Sequence, residues 1–116
     1  MIRNGLYLVT VSLLDGADDQ TGEKNSIAVL RNGTMLGGGP YYYYFGTYTS
    51  ANGRWRGEAT NQEHTTPPAT LPFARKVVTI GFSGTYTDEG AEVENTGLFG
   101  KRSRRFKSTF RLLKAD

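Results

Sequence analysis

Apolar and polar residues alternate with a period of two along most of this chain, and no stretch shows the period of an amphipathic helix. Residues 6–14 (LYLVTVSLL) make an apolar run of strand length, and the polar stretch 15–25 reads as a loop. Residues 26–31 and 34–37 flank Asn32-Gly33, and a second pair of strands, centred on residues 37–58, flanks Asn52-Gly53. Asn-Gly is the strongest short hairpin signal, because both central residues of a type I′ turn need positive φ. The return strand runs to about Gln62. Residues 63–72 hold three of the four prolines and the only histidine, the longest irregular connection. A long strand over 73–87, a turn at Asp88-Glu89-Gly90, a return strand over 91–99, a turn at 100–102 and a last strand over 103–113 complete the pattern.

Turn length fixes register, and register fixes faces. A two-residue loop at Asn52-Gly53 sets Ala51 opposite Arg54, Ser50 opposite Trp55 and Tyr48 opposite Gly57. One face then carries Tyr42, Tyr44, Gly46, Tyr48, Trp55, Gly57 and Ala59; the other carries Thr47, Thr49, Arg54, Arg56, Glu58 and Thr60. The first face is apolar and points inward. The tetrapeptide Gly46-Thr47-Tyr48-Thr49 recurs as Gly84-Thr85-Tyr86-Thr87, and Gly5-Leu6-Tyr7 opens the first strand in the same way. Placing each Gly and Tyr inward puts Tyr7, Val9, Val11 and Leu13 in the core, with Gly making room for a neighbouring aromatic or a bend. Seven or eight strands with short links predict an all-β fold, a small antiparallel up-and-down barrel, as a single domain over residues 1–116.

Composition narrows the function classes. Cysteine is absent, which excludes disulfides and thiolate metal sites. No apolar run reaches the roughly 18–20 residues of a membrane-spanning helix, and no signal peptide is recognised at residues 1–4, so a cytoplasmic location is expected. The net charge of +3 argues for no particular partner. His64 beside Glu63 lacks a placed nucleophile, and one histidine without cysteine makes no metal site, so neither an enzyme nor a cofactor is expected. The Gly37-Gly38-Gly39 run lacks the strand–loop–helix context of a phosphate cradle.

Three groups of residues are candidates for binding. Tyr7, Tyr44, Tyr48, Trp55, Phe82, Tyr86, Phe106 and Phe110 line the inner wall, either as a plain aromatic core or as a pocket for a small apolar ligand or lipid with phenolic and indole handles. Tyr41, Tyr43 and Phe45 point outward, with Leu6 and Leu8 as neighbours, and mark a homodimer contact unless the 63–72 loop covers them. Seven of the fourteen basic residues fall between Lys101 and Lys114, with Arg105, Lys107 and Arg111 on one outer face. That stripe reads as a solvated edge strand. Nucleic-acid binding is not expected, because Phe106 and Phe110 point away from it and single-strand grooves need aromatics on the basic face.

The Gly5-Leu6-Tyr7 opening, Arg31-Asn32-Gly33-Thr34-Met35 followed by Gly37-Gly38, and Tyr44-Phe45-Gly46 with its hairpin resemble the GrlR-like proteins, named for a negative regulator of type III secretion. The resemblance covers roughly the first 60 residues. It implies a lipocalin-like barrel that dimerises and acts by binding a regulatory protein partner. The family's founding regulator carries an acidic tetrapeptide on the turn after this strand. The matching turn here, Ser50-Ala51-Asn52-Gly53-Arg54, has no acid and one base. The family's partner surface is therefore not carried over.

Overall fold

The computed structural model describes residues 1–13, 24–66, 77–99 and 102–116, with residues 12–13, 24, 77–78, 95–99 and 102–106 described by their backbone. Eight strands follow in order: β1 Gly5–Leu13, β2 Lys24–Arg31, β3 Thr34–Gly38, β4 Tyr42–Ala51, β5 Arg54–Glu63, β6 Val77–Tyr86, β7 Gly90–Phe99 and β8 Arg102–Ala115. Each pairs antiparallel with the next, and β8 pairs back to β1, which closes the barrel. The fold is thus the antiparallel up-and-down barrel that the alternation predicts, with eight strands. Closure leaves β8 paired on both sides, so the basic strand is not an edge, contrary to the sequence reading. The expected loop over 15–25 and the proline-rich connection beyond Thr66 fall largely outside the described residues.

Both Asn-Gly turns have the backbone that a type I′ hairpin requires, with φ of 51° and 83° at Asn32 and Gly33 and 55° and 79° at Asn52 and Gly53. The β4–β5 register is the expected one, with Tyr48 opposite Gly57, Ser50 opposite Trp55 and Ala51 opposite Arg54. Period two then sorts the faces: Tyr48 and Trp55 are buried, while Thr47, Thr49, Arg54, Arg56 and Glu58 are exposed.

The repeated Gly-x-Tyr motif has a steric reason. A Cβ at Gly46 would lie 2.1 Å from the Glu58 carbonyl oxygen, one at Gly84 1.8 Å from that of Glu92, and one at Gly5 2.4 Å from that of Lys114. At each of these points the neighbouring backbone passes too close for any side chain. The Tyr two residues later then points back into the lumen beside the space so left.

Residues 1–4 fold against one end of the barrel. Ile2 is 3% exposed and joins the core, the Ile2 N–H donates to Ser50 Oγ at 3.0 Å, and the Tyr7 hydroxyl donates to the Arg3 carbonyl at 2.6 Å. The Arg31 guanidinium spans the β8–β1–β2 seam to hold both Asp116 carboxylate oxygens, at 2.8 and 3.0 Å, and keeps that carboxyl below its ordinary range. Sequence reading passed over Ile2 because a lone apolar residue before the first strand has no period to place it.

The close approach at Gly84 predicts a specific contrast. Gly84→Ala costs about 1–3 kcal/mol, the range for forcing atoms into a filled site. Gly81→Ala, at an exposed position whose nearest neighbour to a new Cβ is 4.0 Å away, leaves stability unchanged or raises it. Urea unfolding monitored by Trp55 fluorescence measures both; equal effects would refute the steric reading.

Candidate interaction face and barrel interior

The interior is built around Trp55. Its ring meets Tyr48 from β4, Phe82 from β6 and Phe110 from β8 at centroid distances of 5.6, 5.0 and 5.1 Å, all edge-to-face. Its indole N–H donates to the Glu92 carbonyl on β7 at 3.2 Å. Tyr7 packs edge-on against Phe110 at 6.5 Å. Edge-to-face contacts set the positive ring edge against the negative ring face, which adds to the area buried. Seven of the eight expected interior residues are thereby placed. Tyr7, Tyr48, Trp55 and Phe110 are buried, and Tyr44, Phe82 and Tyr86 pack partly buried against them. The Phe106 side chain lies outside the described residues. At the level of Trp55 the lumen is filled by side chains.

The phenols differ in their polar environment. The Tyr44 hydroxyl shares a 2.8 Å hydrogen bond with Ser26 Oγ. Burial pushes the Tyr44 phenol up, and the Ser26 bond pulls it partly back. Burial likewise raises Tyr7, with the Tyr48 phenol adding to the effect, and it raises Tyr48. The Tyr48 hydroxyl is buried without a hydrogen-bond partner among the described residues, and the adjacent Gly33 backbone offsets only part of that burial. Tyr86 is the reverse case: its hydroxyl meets the N-terminal amine, which lowers its pKa.

The outer wall is two-sided. Ladder partners sit side by side with side chains on the same face. One row therefore runs Lys114, Leu6, Val29, Leu36, Phe45, Thr60 across β8, β1, β2, β3, β4 and β5. The next runs Arg111, Leu8, Ile27, Gly38, Tyr43, Gln62 over the same strands. Four strands thus carry an unbroken apolar strip. Leu36 is 63% exposed, Ile27 42%, Phe45 43% and Tyr43 37%. Tyr43 and Phe45 stack at 6.2 Å, and His64 stacks on Tyr43 at 6.4 Å. Tyr43 and Phe45 stand where the sequence placed them. Tyr41 does not share the strip's ladder: it precedes β4, and its carbonyl accepts the N–H groups of His64 and Thr65. Ile27, Val29 and Leu36 went unnoticed, although the Asn32-Gly33 turn fixes their outward register as firmly as it fixes Leu30 and Met35 inward.

The opposite wall is polar. Its outer residues include Arg54, Arg56, Glu58, Thr85, Glu92 and Glu94, and an open trough of about 810 Å³ across β4–β7 is lined by Arg56, Glu58, Ser83 and Glu94 with the bare Gly81 among them. The expected basic face is interrupted there: Lys107 lies opposite Glu94 in the ladder and 3.6 Å from the Glu92 carboxylate. Arg111 is exposed, and the Arg105 side chain lies outside the described residues. Weak alternation in residues 91–99 hid these acids from the sequence reading.

His64 has a local role. Its Nε2 is 2.9 Å from the Gly39 carbonyl and so donates to it, while Nδ1 meets the Thr65 hydroxyl at 2.7 Å. The ring thereby ties the 39–41 bend to the end of β5. Among the described residues no three His, Cys, Asp or Glu side chains group as metal ligands, and no helix is long and apolar enough to cross a membrane.

Fold and surface thus define a class: a closed eight-stranded barrel with an aromatic interior and one apolar outer wall. No protein-family model matches this chain, and a search of curated proteins finds no significant match. Neither comparison adds to the resemblance carried by the short motifs of the first half.

The phenols make a pH prediction. Tyr7, Tyr44 and Tyr48 ionise above the ordinary value in the folded state, so their share of stability is complete below about pH 10 and is lost as pH rises through their folded values. Phenolate absorbance of the folded protein shows Tyr86 ionising first and these three only as the barrel opens; one common transition at the ordinary value would contradict this. Tyr48→Phe removes the unpartnered hydroxyl and stabilises by about 1 kcal/mol, read from thermal unfolding.

Proposed function

We propose that this protein is a non-enzymatic, cytoplasmic, regulatory protein-binding barrel that works through the apolar strip on β1–β4. The observation that carries the reading is the strip itself. Two adjacent rows of outward apolar residues cross four strands with no charge among them. Contiguous exposed apolar surface of this kind marks interaction sites. Closure supports it as well: with every strand paired, association has no free edge to extend and must proceed face to face. The word regulatory rests on the resemblance to GrlR-like proteins, whose acidic motif has no counterpart at Ser50-Ala51-Asn52-Gly53-Arg54.

A homodimer is the competing use of the same strip, and one feature favours it. Exposed Leu36 stands two residues from Gly38 on the outer face of β3, and Tyr43 crowds the space over Gly38. A two-fold axis across β3 sets each Leu36 against the other copy's Gly38 and Tyr43. The same axis brings Arg111 and Lys114 of both copies to one edge, so this dimer is weakened by like charge and strengthened by salt. The carrier reading keeps Tyr48 and the Tyr44–Ser26 pair as polar handles. We rank it below protein binding, because Trp55 and its neighbours occupy the lumen where an apolar ligand would lie.

A photo-crosslinking residue at Leu36, compared with one at Thr85 on the polar wall, tests the proposal in the producing cell. Crosslinks to protein at position 36 and few at 85 are expected; equal or absent crosslinking at 36 would refute it. An adduct of twice the chain mass identifies the homodimer, and sedimentation at low and high salt checks its predicted salt dependence.

A further inference from the structure

The strip is asymmetric along its rows, and the asymmetry points to the chemistry of what it binds. Each row begins on β8 with a cation, Lys114 or Arg111, crosses apolar residues on β1–β4 and ends on β5 with an uncharged polar residue, Thr60 or Gln62. Between the two cations a β-bulge leaves Leu113 unpaired in the ladder and 46% exposed, which extends the apolar surface to the charged edge.

These cations differ from the others on the wall. Lys107 has Glu92 at 3.6 Å, and Arg31 is committed to Asp116 through two hydrogen bonds. Arg111 has Leu8 on one side of the ladder and Gly90 on the other, with Glu92 only its diagonal neighbour on β7 and turned to Lys107, and it forms no ion pair among the described residues. Lys114 neighbours Leu6 and lies near Asp116, whose carboxylate is already held by Arg31. The turn acids Asp88 and Glu89 form no ion pair with either cation. Charge is thus left available on one edge of an otherwise uncharged face.

We infer that the strip docks a protein segment with an apolar face and an acidic edge, its carboxylates set against Arg111 and Lys114 and its apolar side chains against Leu36, Ile27 and Phe45. This rests on the protein-binding reading above and adds the partner's charge and orientation. Complementary charge at a rim selects partners and fixes register, while the apolar centre supplies the binding energy. A lipid surface is the less fitting occupant. Two cations stand on this edge, fewer than the roughly four to eight clustered Lys/Arg that mark anionic-lipid recognition. A second copy of this chain presents cations to cations, as described.

The test uses the full chain and two synthetic amphipathic peptides that differ only at one edge, Glu in one and Lys in the other, each with a Leu/Phe face. Fluorescence anisotropy is expected to show the Glu peptide binding roughly tenfold or more tightly than the Lys peptide, with affinity falling as salt rises. The double variant Arg111→Glu/Lys114→Glu, both exposed positions, should reverse that preference with circular dichroism unchanged. Leu36→Asp should weaken both peptides. Equal binding of the two peptides, no binding of either, or an unaffected double variant overturns the inference about charge. If Leu36→Asp leaves binding intact, the strip reading itself fails. Stronger association with phosphatidylglycerol vesicles than with the Glu peptide, lost in the double variant, overturns the inference in favour of a lipid surface.

Discussion

Trp55 is the side chain on which the barrel's closure depends. A closed sheet satisfies its backbone hydrogen bonds but leaves a lumen, and a lumen too narrow for free water must be filled by side chains at close packing. Trp55 crosses that space and meets β4, β6, β7 and β8 through three aromatic contacts and one hydrogen bond. Around it, Gly46, Gly57 and Gly84 bring neighbouring backbones closer than any side chain would permit. Large rings and missing side chains are two parts of one solution: the wall bends in where it has glycine, and the aromatics occupy what remains.

A lumen filled at the level of Trp55 turns attention to the surface. Among the described residues, interior phenols are held by the Tyr44–Ser26 and Tyr7–Arg3 bonds, while the Tyr48 hydroxyl has no partner. Outside, the wall divides into an apolar half on β1–β4 and a charged half beyond it. Among the described residues of the charged half, acids stand beside bases, with Glu92 and Glu94 next to Lys107. The apolar half has no such internal compensation. Leu36 at the centre of β3 packs between its ladder neighbours Val29 and Phe45 and leaves most of its surface open.

Much of this was legible beforehand because the strand period is two and a two-residue turn is rigid. Asn32-Gly33 and Asn52-Gly53 fix the register of four strands, and register alone sends Tyr48 and Trp55 inward and Tyr43 and Phe45 outward. Ile27, Val29 and Leu36 were equally available by that logic. They were missed because an alternating strand with apolar residues on both faces resembles a simply buried one. Ile2 and the acids of β7 were harder, since neither sits in a segment with a clear period.

The amino-acid sequence therefore determined the all-β class, the two Asn-Gly hairpins and the register of the strands that flank them, all properties set within a few residues of a turn. What only the tertiary structure decided is adjacency across the closing seam. Leu6 lies beside Lys114 and Leu8 beside Arg111 because β1 and β8 meet, and the bulge at Leu113 arises from that meeting. These pairs lie at opposite ends of the chain. No local period or turn encodes them, since they follow from how eight twisted strands come round to their start. The charged edge of the apolar strip is a product of that closure.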